Sequence, residues 1–211
     1  MLRRRRRPPV LAEVSALRSG QARPGALDRA ELAAFADLSQ TLGGSRAVLV
    51  TGGGKSRVAL GLAAAAAVAG KRVVLLECDL ERPALAGSLG LAGGPGLHEY
   101  LRREVEAEQI LQSLVLAGPA SAGATAPLVC IVAGRPATSS APLLTLEDFD
   151  HAVEKLRRAY DLAILDGPPL SGDRDSLRAV AGPVDATLVC GGRTEIPKKP
   201  PIPVTGFVVQ D

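Results

Sequence analysis

The chain has 211 residues, of which 46% are hydrophobic and 2% aromatic, and its formal net charge is +3. This length suits a single core, and a core built from Val, Leu, Ile and Ala suits a parallel α/β sheet covered on both faces. The small charge and the scarcity of aromatic rings argue against a nucleic-acid surface, and the longest apolar run, Val58 to Ala69, is too short to span a membrane.

Residues 1–27 combine a run of arginines from Arg3 to Arg7 with three prolines. Their apolar periodicity is limited to Val10 to Leu17, which fits one or two amphipathic helical turns. We predict a basic, mobile arm over residues 1–27, and the alternative is an arginine cluster that binds anionic lipid or polyphosphate. No apolar stretch follows the arginines, so a secretion signal is not expected.

The next segment has the pattern of a βαβ unit preceded by a helix. Asp28 and Glu31 have the spacing of a capping box and predict a helix that ends near Gly43. The predicted elements that follow are a strand at Ala47–Thr51, a glycine loop, a helix that ends at Ala69, and a strand at Arg72–Cys78. Strands joined by such a crossover are parallel, and the connection is nearly always right-handed.

Alternating helix and strand patterns continue to the last residues. The predicted elements are a helix at Leu97–Gln112, a strand at Leu128–Val132, a helix at Leu146–Tyr160, a strand at Leu162–Leu165, a helix at Ser176–Ala181, and strands at Ala186–Cys190 and Val204–Val209. The connection between the last two strands, Gly191 to Pro203, contains four prolines. The connection leaves no room for the crossover helix that a parallel pair usually requires. We therefore expect this part of the fold to be shortened.

The three cysteines, Cys78, Cys130 and Cys190, each lie within or at the end of an apolar strand-like run. They have neither the CxxC spacing nor the histidine partners of a metal site, so we expect small buried apolar side chains in a reducing compartment. His98 and His151 lie at a helix start and on a polar helix face, where solvated or capping roles are expected. A cytoplasmic location is predicted, with recruitment to the membrane left to a partner.

The most informative segment reads SRAVLVTGGGKS, from Ser45 to Ser56. A β-branched run leads into three glycines, then Lys55, Ser56 and an alanine-rich helix. Consecutive glycines allow backbone N–H groups to converge on a phosphate, the lysine adds a charge, and the hydroxyl can bind Mg²⁺. The full motif needs a further glycine where this chain has Leu49, so the loop is short and weak phosphate binding is expected.

Acidic residues stand at the ends of two predicted strands. VVLLECD places Glu77 and Asp79 on one face of the second strand, because strand side chains alternate. LAILD places Asp166 at the end of another buried strand, where open α/β sheets bind ligands. With the glycine loop, these acids indicate a P-loop ATPase-like domain over residues 28–211 that binds ATP and Mg²⁺.

Several of these segments resemble the cytoplasmic ATPase domain of the bacterial tyrosine kinases. These kinases regulate the assembly of capsular polysaccharide and exopolysaccharide together with a membrane co-polymerase. The segments are GKS, VVLLECDLERPAL, GLHEYL, VAGRPATSSAPLL and YDLAILDGPPL. The resemblance implies a three-layer P-loop fold with a mostly parallel sheet, an ATP site, and a membrane polysaccharide co-polymerase or activator as partner.

The resemblance also assigns roles to individual residues. Lys55 and Asp79 are the candidate catalytic residues, with Asp79 as the base toward a tyrosine hydroxyl. Ser56, Asp79 and Asp166 are the candidate Mg²⁺ ligands. The candidate nucleotide-binding residues are Gly52, Gly53, Gly54, Lys55, Ser56 and Arg57.

Three departures from the family pattern leave the activity open. The loop lacks about four residues, the C-terminal tyrosine cluster is missing because Tyr100 and Tyr160 are the only tyrosines, and Ala34 and Asp37 replace the arginines of the ring-assembly motif. A tyrosine kinase, a partitioning-type ATPase switch and a non-catalytic regulatory subunit therefore remain possible. A lysine early in the loop would favour the partitioning type, but Gly52 and Gly53 stand there.

Overall fold

One sheet of eight strands runs through the described part of this computed structural model, which covers residues 8–14, 29–115 and 127–210. The strand order is β1-β8-β7-β2-β6-β3-β5-β4, and β4 is antiparallel to β5 while every other pair is parallel. The strands are β1 (Val10–Val14), β2 (Ala47–Gly52), β3 (Val73–Glu77), β4 (Gln112–Val115), β5 (Pro127–Ile131), β6 (Leu162–Asp166), β7 (Ala186–Gly191) and β8 (Gly206–Gln210).

Helices cover both faces of the sheet. The helices are α1 (Arg29–Thr41), α2 (Lys55–Val68), α3 (Leu85–Leu89), α4 (Leu97–Leu101), α5 (Ala141–Leu144), α6 (Glu147–Ala159) and α7 (Arg174–Ala181), and Ala107–Ile110 forms a 3-10 turn. The first three helices pack in one apolar core and the other four pack in a second core on the opposite face. Along β2, Val48 and Val50 join the first core while Ala47 and Leu49 join the second. The predicted three-layer α/β fold with a mostly parallel sheet is confirmed.

Small side chains let α2 lie close to its neighbours. Every residue from Val58 to Ala67 is buried. A Cβ atom added to Gly61 would lie 2.2 Å from the ring of Phe35 on α1, which is itself fully buried. The glycine therefore sets the separation of the two helices.

We expect Gly61→Val to destabilise the protein by about 1–3 kcal/mol, because the added methyl groups overpack the contact with Phe35. In a chain of this size that loss lowers the thermal midpoint by roughly 2–12 °C. Gly87→Val is the matched control, since a Cβ atom at Gly87 would have no atom of the described residues within 4 Å. Equal midpoints for the two variants would contradict this account of the helix contact.

At two edge strands, β1 and β4, the structure differs from the sequence predictions. Val10–Val14 pairs with β8 as a parallel strand, so the helical turns predicted there are wrong and these residues belong to the sheet rather than to an arm. Arg3 to Arg7 and residues 15–28 lie outside the described residues. The helix predicted over Leu97–Gln112 ends at Leu101, because Arg103 has a positive φ of 58° and a strand starts at Gln112.

The connection before the last strand lacks a helix, as predicted, but it still joins two parallel strands. β7 and β8 are parallel although no helix joins them, and the loop of residues 192–205 makes the crossover alone. Ile202 is buried in the second core, and Ile196 is buried in a smaller apolar cluster with Val189, Phe207 and Val209, so both anchor the loop. The prolines exclude a helix, but the loop is long enough for a parallel return. No helix in the described ranges combines the length and the apolar character that crossing a bilayer requires.

Candidate functional site

Three glycines make the turn between β2 and α2. Gly52 and Gly54 have positive φ angles of 101° and 64°, which favour glycine. A Cβ atom at Gly52 would lie 2.2 Å from the carbonyl oxygen of Cys190, so the backbones of β2 and β7 approach too closely for a side chain. The predicted glycine turn is confirmed.

The backbone N–H groups of this turn fall into two sets. The N–H of Gly53 donates to the carbonyl oxygen of Cys190 at 2.9 Å and is thus used by the protein itself. The first helical bond of α2 runs from Val58 N–H to the Gly54 carbonyl, and among the described residues no side chain caps the helix. The four N–H groups from Gly54 to Arg57 precede that bond, so the anion-binding capacity of the turn lies at the start of the helix.

Sheet register brings the predicted acids next to this turn. Asp166 is paired in register with Val50 of β2 and with Glu77 of β3, so the carboxyl ends of three adjacent strands meet. The Lys55 ammonium lies 3.0 Å from Asp166 Oδ1 and 3.5 Å from Asp79 Oδ2. Lys55, Asp79 and Asp166, three residues predicted from separate motifs, therefore form one cluster.

Asp166 is the most deeply buried member of the cluster. Its side chain is inaccessible to solvent, and its Oδ2 atom has no hydrogen-bond partner among the described residues. Burial raises the pKa of this carboxyl, and Lys55 and the nearby Ser56 hydroxyl oppose the rise. A buried carboxylate oxygen without a donor is available to a cation.

The donor set fits Mg²⁺. Ser56 supplies a hydroxyl, and Asp166 and Asp79 supply carboxylate oxygens, which are the hard ligands that Mg²⁺ prefers. Within the described ranges no group of three or more His, Cys, Asp or Glu residues forms a metal cage. Mg²⁺ often has few protein ligands and completes its shell with water and substrate phosphates.

Glu77 has a different role from its neighbour Asp79. Its Oε1 atom accepts hydrogen bonds from the N–H groups of Ala84 and Leu85, and its Oε2 atom accepts one from Ala133. The carboxylate is buried and holds two loops beside the site. Asp79 instead keeps Oδ2 toward Lys55, while Oδ1 accepts a 3.3 Å bond from the Arg82 N–H.

The Arg57 side chain turns away from the glycine turn. Its guanidinium forms an ion pair with Glu31 of α1, and Nε is buried without a hydrogen-bond partner among the described residues. Of the predicted nucleotide-binding residues, Arg57 therefore offers only its backbone N–H to the turn.

Two residues that the sequence did not single out lie beside the turn. The Gln210 amide donates from Nε2 to the Gly53 carbonyl at 2.8 Å. The Glu195 carboxylate accepts a bond from Gly192 N–H, and its Oε2 atom lies 3.3 Å from where a Cβ atom of Gly53 would be. Both residues come from the last 20 positions of the chain, so no local sequence pattern marks them.

The cysteines and histidines of the chain make structural contacts. The three cysteines are free and buried, and burial raises the pKa of Cys130 to about 12. His98 bonds through Nδ1 to the carbonyl of Arg135, and His151 is exposed. The expectation that the cysteines are small buried apolar residues is confirmed.

The known proteins that this chain resembles in sequence are described as tyrosine-protein kinases. No family model matches the chain. It is 31% identical over 147 residues, 67% of its length, to the putative tyrosine-protein kinase EpsB of Ralstonia nicotianae, and 27% identical over 156 residues, 71% of its length, to the tyrosine-protein kinase YwqD of Bacillus subtilis. The chain spans 18% of the length of the first protein and 62% of the second.

Solved structures share the fold. The kinase domain of the Escherichia coli tyrosine kinase ETK superposes with a TM-score of 0.78 at 19% identity, covering 96% of this chain and 90% of that domain. The septum site-determining protein MinD from Pyrococcus horikoshii, complexed with Mg-ADP, gives a TM-score of 0.53 at 16% identity, with 71% and 59% covered. Both superpositions show the α/β fold, and the one with the kinase domain is the more complete of the two.

Proposed function

We propose that this chain, a relative of the bacterial tyrosine-protein kinases, binds ATP with Mg²⁺ at the glycine turn and regulates capsular or exopolysaccharide biosynthesis. The observation that supports the ATP site is the meeting of the Lys55 ammonium with Asp166 and Asp79 beside the uncapped start of α2. The role in polysaccharide assembly follows from the family resemblance. The proposed partner is a membrane polysaccharide co-polymerase that recruits the chain to the inner face of the membrane.

Each residue of the cluster has a proposed task. Lys55 leaves its carboxylate partners to neutralise charge on the outer phosphates, while the N–H groups of the first turn of α2 bind phosphate oxygens. Ser56 and Asp166 would hold Mg²⁺, with Asp79 as a further candidate ligand. When bound, the metal neutralises phosphate charge and orients the phosphates for in-line transfer.

In phosphotransfer Asp79 would act as the base. Its Oδ2 atom accepts the proton of the attacking hydroxyl, the bond from that oxygen to the terminal phosphorus forms, and the bond to the bridging oxygen breaks. ADP leaves with the bridging electron pair. Asp79 suits this task because it stands at the rim of the cluster and is 6% exposed, whereas Asp166 is fully enclosed.

A non-catalytic regulatory subunit is the second candidate function. The observation that favours it is the use of the Gly53 N–H by Cys190, which leaves fewer loop donors for phosphate. This candidate predicts nucleotide binding without turnover. Calorimetric titration with ATP and ADP, with and without Mg²⁺, followed by an assay of phosphate release, separates it from an active kinase.

Incubation with ATP and Mg²⁺ should give little autophosphorylation. Tyr100 and Tyr160 are half-buried side chains beside one apolar cavity of about 170 Å³, and burial raises the pKa of Tyr160. Neither hydroxyl is placed on a free chain end where it could reach a second active site. Mass spectrometry of the incubated protein provides the measurement, and stoichiometric phosphotyrosine at either residue would contradict the prediction.

A further inference from the structure

The short phosphate loop forms a hydrogen bond with a side chain that is distant in sequence, that of Gln210. Gln210, at the end of β8, donates from its amide to the Gly53 carbonyl, and the same amide packs on Gly54, where an added Cβ atom would lie 2.2 Å from Oε1. Gly53 N–H is fixed to β7 at the same time. The loop backbone is therefore tied on one side by a main-chain bond and on the other by a side chain.

The bond to Gln210 sets the direction of a neighbouring donor. The Gly53 carbonyl and the Gly54 N–H belong to one peptide unit, and in a planar trans peptide these two groups point in opposite directions. Fixing the carbonyl on Gln210 thus fixes the Gly54 N–H on the side of the loop that faces away from Gln210. The hydrogen bond also polarises that peptide unit and makes its N–H a better donor.

The backbone at Gly54 needs such support. Its φ angle of 64° is in the left-handed region, which a glycine leaves easily because many other conformations are open to it. In the family that this chain resembles, about four further residues complete the loop at this point. Here the space beside Gly53 and Gly54 is filled by the Gln210 side chain.

We propose that Gln210 is a positioning residue for nucleotide phosphates and takes the place of the missing loop residues. This inference rests on the proposed function, because it assigns a supporting residue to the same phosphate site. It implies that the short loop is a complete cradle assembled from two distant segments. Phosphate binding should then be stronger than the length of the loop alone predicts, because the contact with β8 supports the loop.

The test compares the full chain with Gln210→Ala, Gln210→Glu and Gln112→Ala by calorimetric titration with Mg²⁺ and either ADP or pyrophosphate. Gln210→Glu keeps the size of the side chain but, when ionised, removes the donor. Gln112 is the matched control, since its amide also bonds to main-chain groups, those of Ala92, at the opposite edge of the sheet.

We expect Gln210→Ala to weaken the binding of both ligands about fivefold, the equivalent of one typical hydrogen bond. Gln210→Glu should weaken them further because a carboxylate faces the Gly53 carbonyl. Gln112→Ala should bind as the wild type does. Amide hydrogen exchange at Gly53, whose N–H donates to Cys190, should accelerate in the two Gln210 variants while the central strands exchange as in the wild type, a local pattern that a general loss of stability would not produce.

The outcomes distinguish the two proposals. Wild-type and Gln210 variants that bind ADP equally, within twofold, would overturn the role of Gln210 and leave the proposed function standing. A wild-type chain that binds neither ADP nor pyrophosphate would overturn both. Equal weakening by Gln112→Ala would show a general stability effect and would also overturn the positioning role.

Discussion

Lys55→Ala should weaken the binding of ATP with Mg²⁺ by roughly 10- to 150-fold. Lys55 is the cation that contacts both acids of the cluster, and a charge-assisted hydrogen bond contributes about 1.5–3 kcal/mol. The substitution also leaves Asp166 buried without its cation, so its pKa should rise further. Titration calorimetry at constant pH measures the loss of affinity.

Controls separate this electrostatic effect from a change of fold. Lys55→Met keeps most of the apolar stem and should lose the same affinity with a smaller loss of packing. Lys71→Met changes an exposed lysine beyond the other end of α2 and should leave binding unchanged. Equal ATP affinity in wild type and Lys55→Ala would remove Lys55 from the site.

Asp166→Asn should abolish ATP turnover while leaving the fold intact. The amide has the shape of the carboxylate, so core packing is preserved, but it is a poor ligand for Mg²⁺. Asp79→Asn should also abolish turnover, through loss of the base. Phosphate release measures both effects, and normal turnover in both variants would place the chemistry elsewhere.

The pH dependence of stability gives a second readout for Asp166. Burial raises the pKa of this carboxyl in the folded state above its unfolded value, so ionisation costs more in the folded chain. The wild type should therefore lose stability as the pH rises through the folded pKa, and Asp166→Asn should not show this loss.

Asp161 offers a control at the opposite end of β6. Its carboxylate is held by Arg72, which lowers its pKa to about 2, and it directly precedes the amino end of β6. Asp161→Asn should leave turnover unchanged. Any stability that Asp161 contributes is present at neutral pH and is lost only as the pH falls toward 2. Asp161→Asn and Asp166→Asn should therefore change the pH dependence of stability in opposite directions.

The core of the site could be predicted from sequence because its signals are local. An apolar run followed by Gly-Gly-Gly-Lys-Ser, and two apolar runs that end in Asp79 and Asp166, are complete within a few residues each. Parallel pairing then brings strand ends together at one edge, as the 3.0 Å contact between Lys55 and Asp166 shows. Central strands are also the easiest to recognise, because burial on both faces leaves them continuously apolar.

The parts that were missed depend on distant contacts. β1 and β4 are short edge strands, and their pairing is decided by β8 and β5 rather than by their own composition. The contact of Gln210 with Gly53 follows from the register of β7 and β8, in which Cys190 pairs with Val208. Nothing within β8 itself indicates that its last residue supports a phosphate loop.

Titration of the wild-type chain with ATP, with and without Mg²⁺ and in parallel with Lys55→Ala, decides whether the Lys55 cluster is an ATP site. We expect saturable binding that depends on Mg²⁺ and that the Lys55 substitution weakens at least tenfold. The absence of binding at millimolar ATP, or equal affinity in the two proteins, would contradict this expectation.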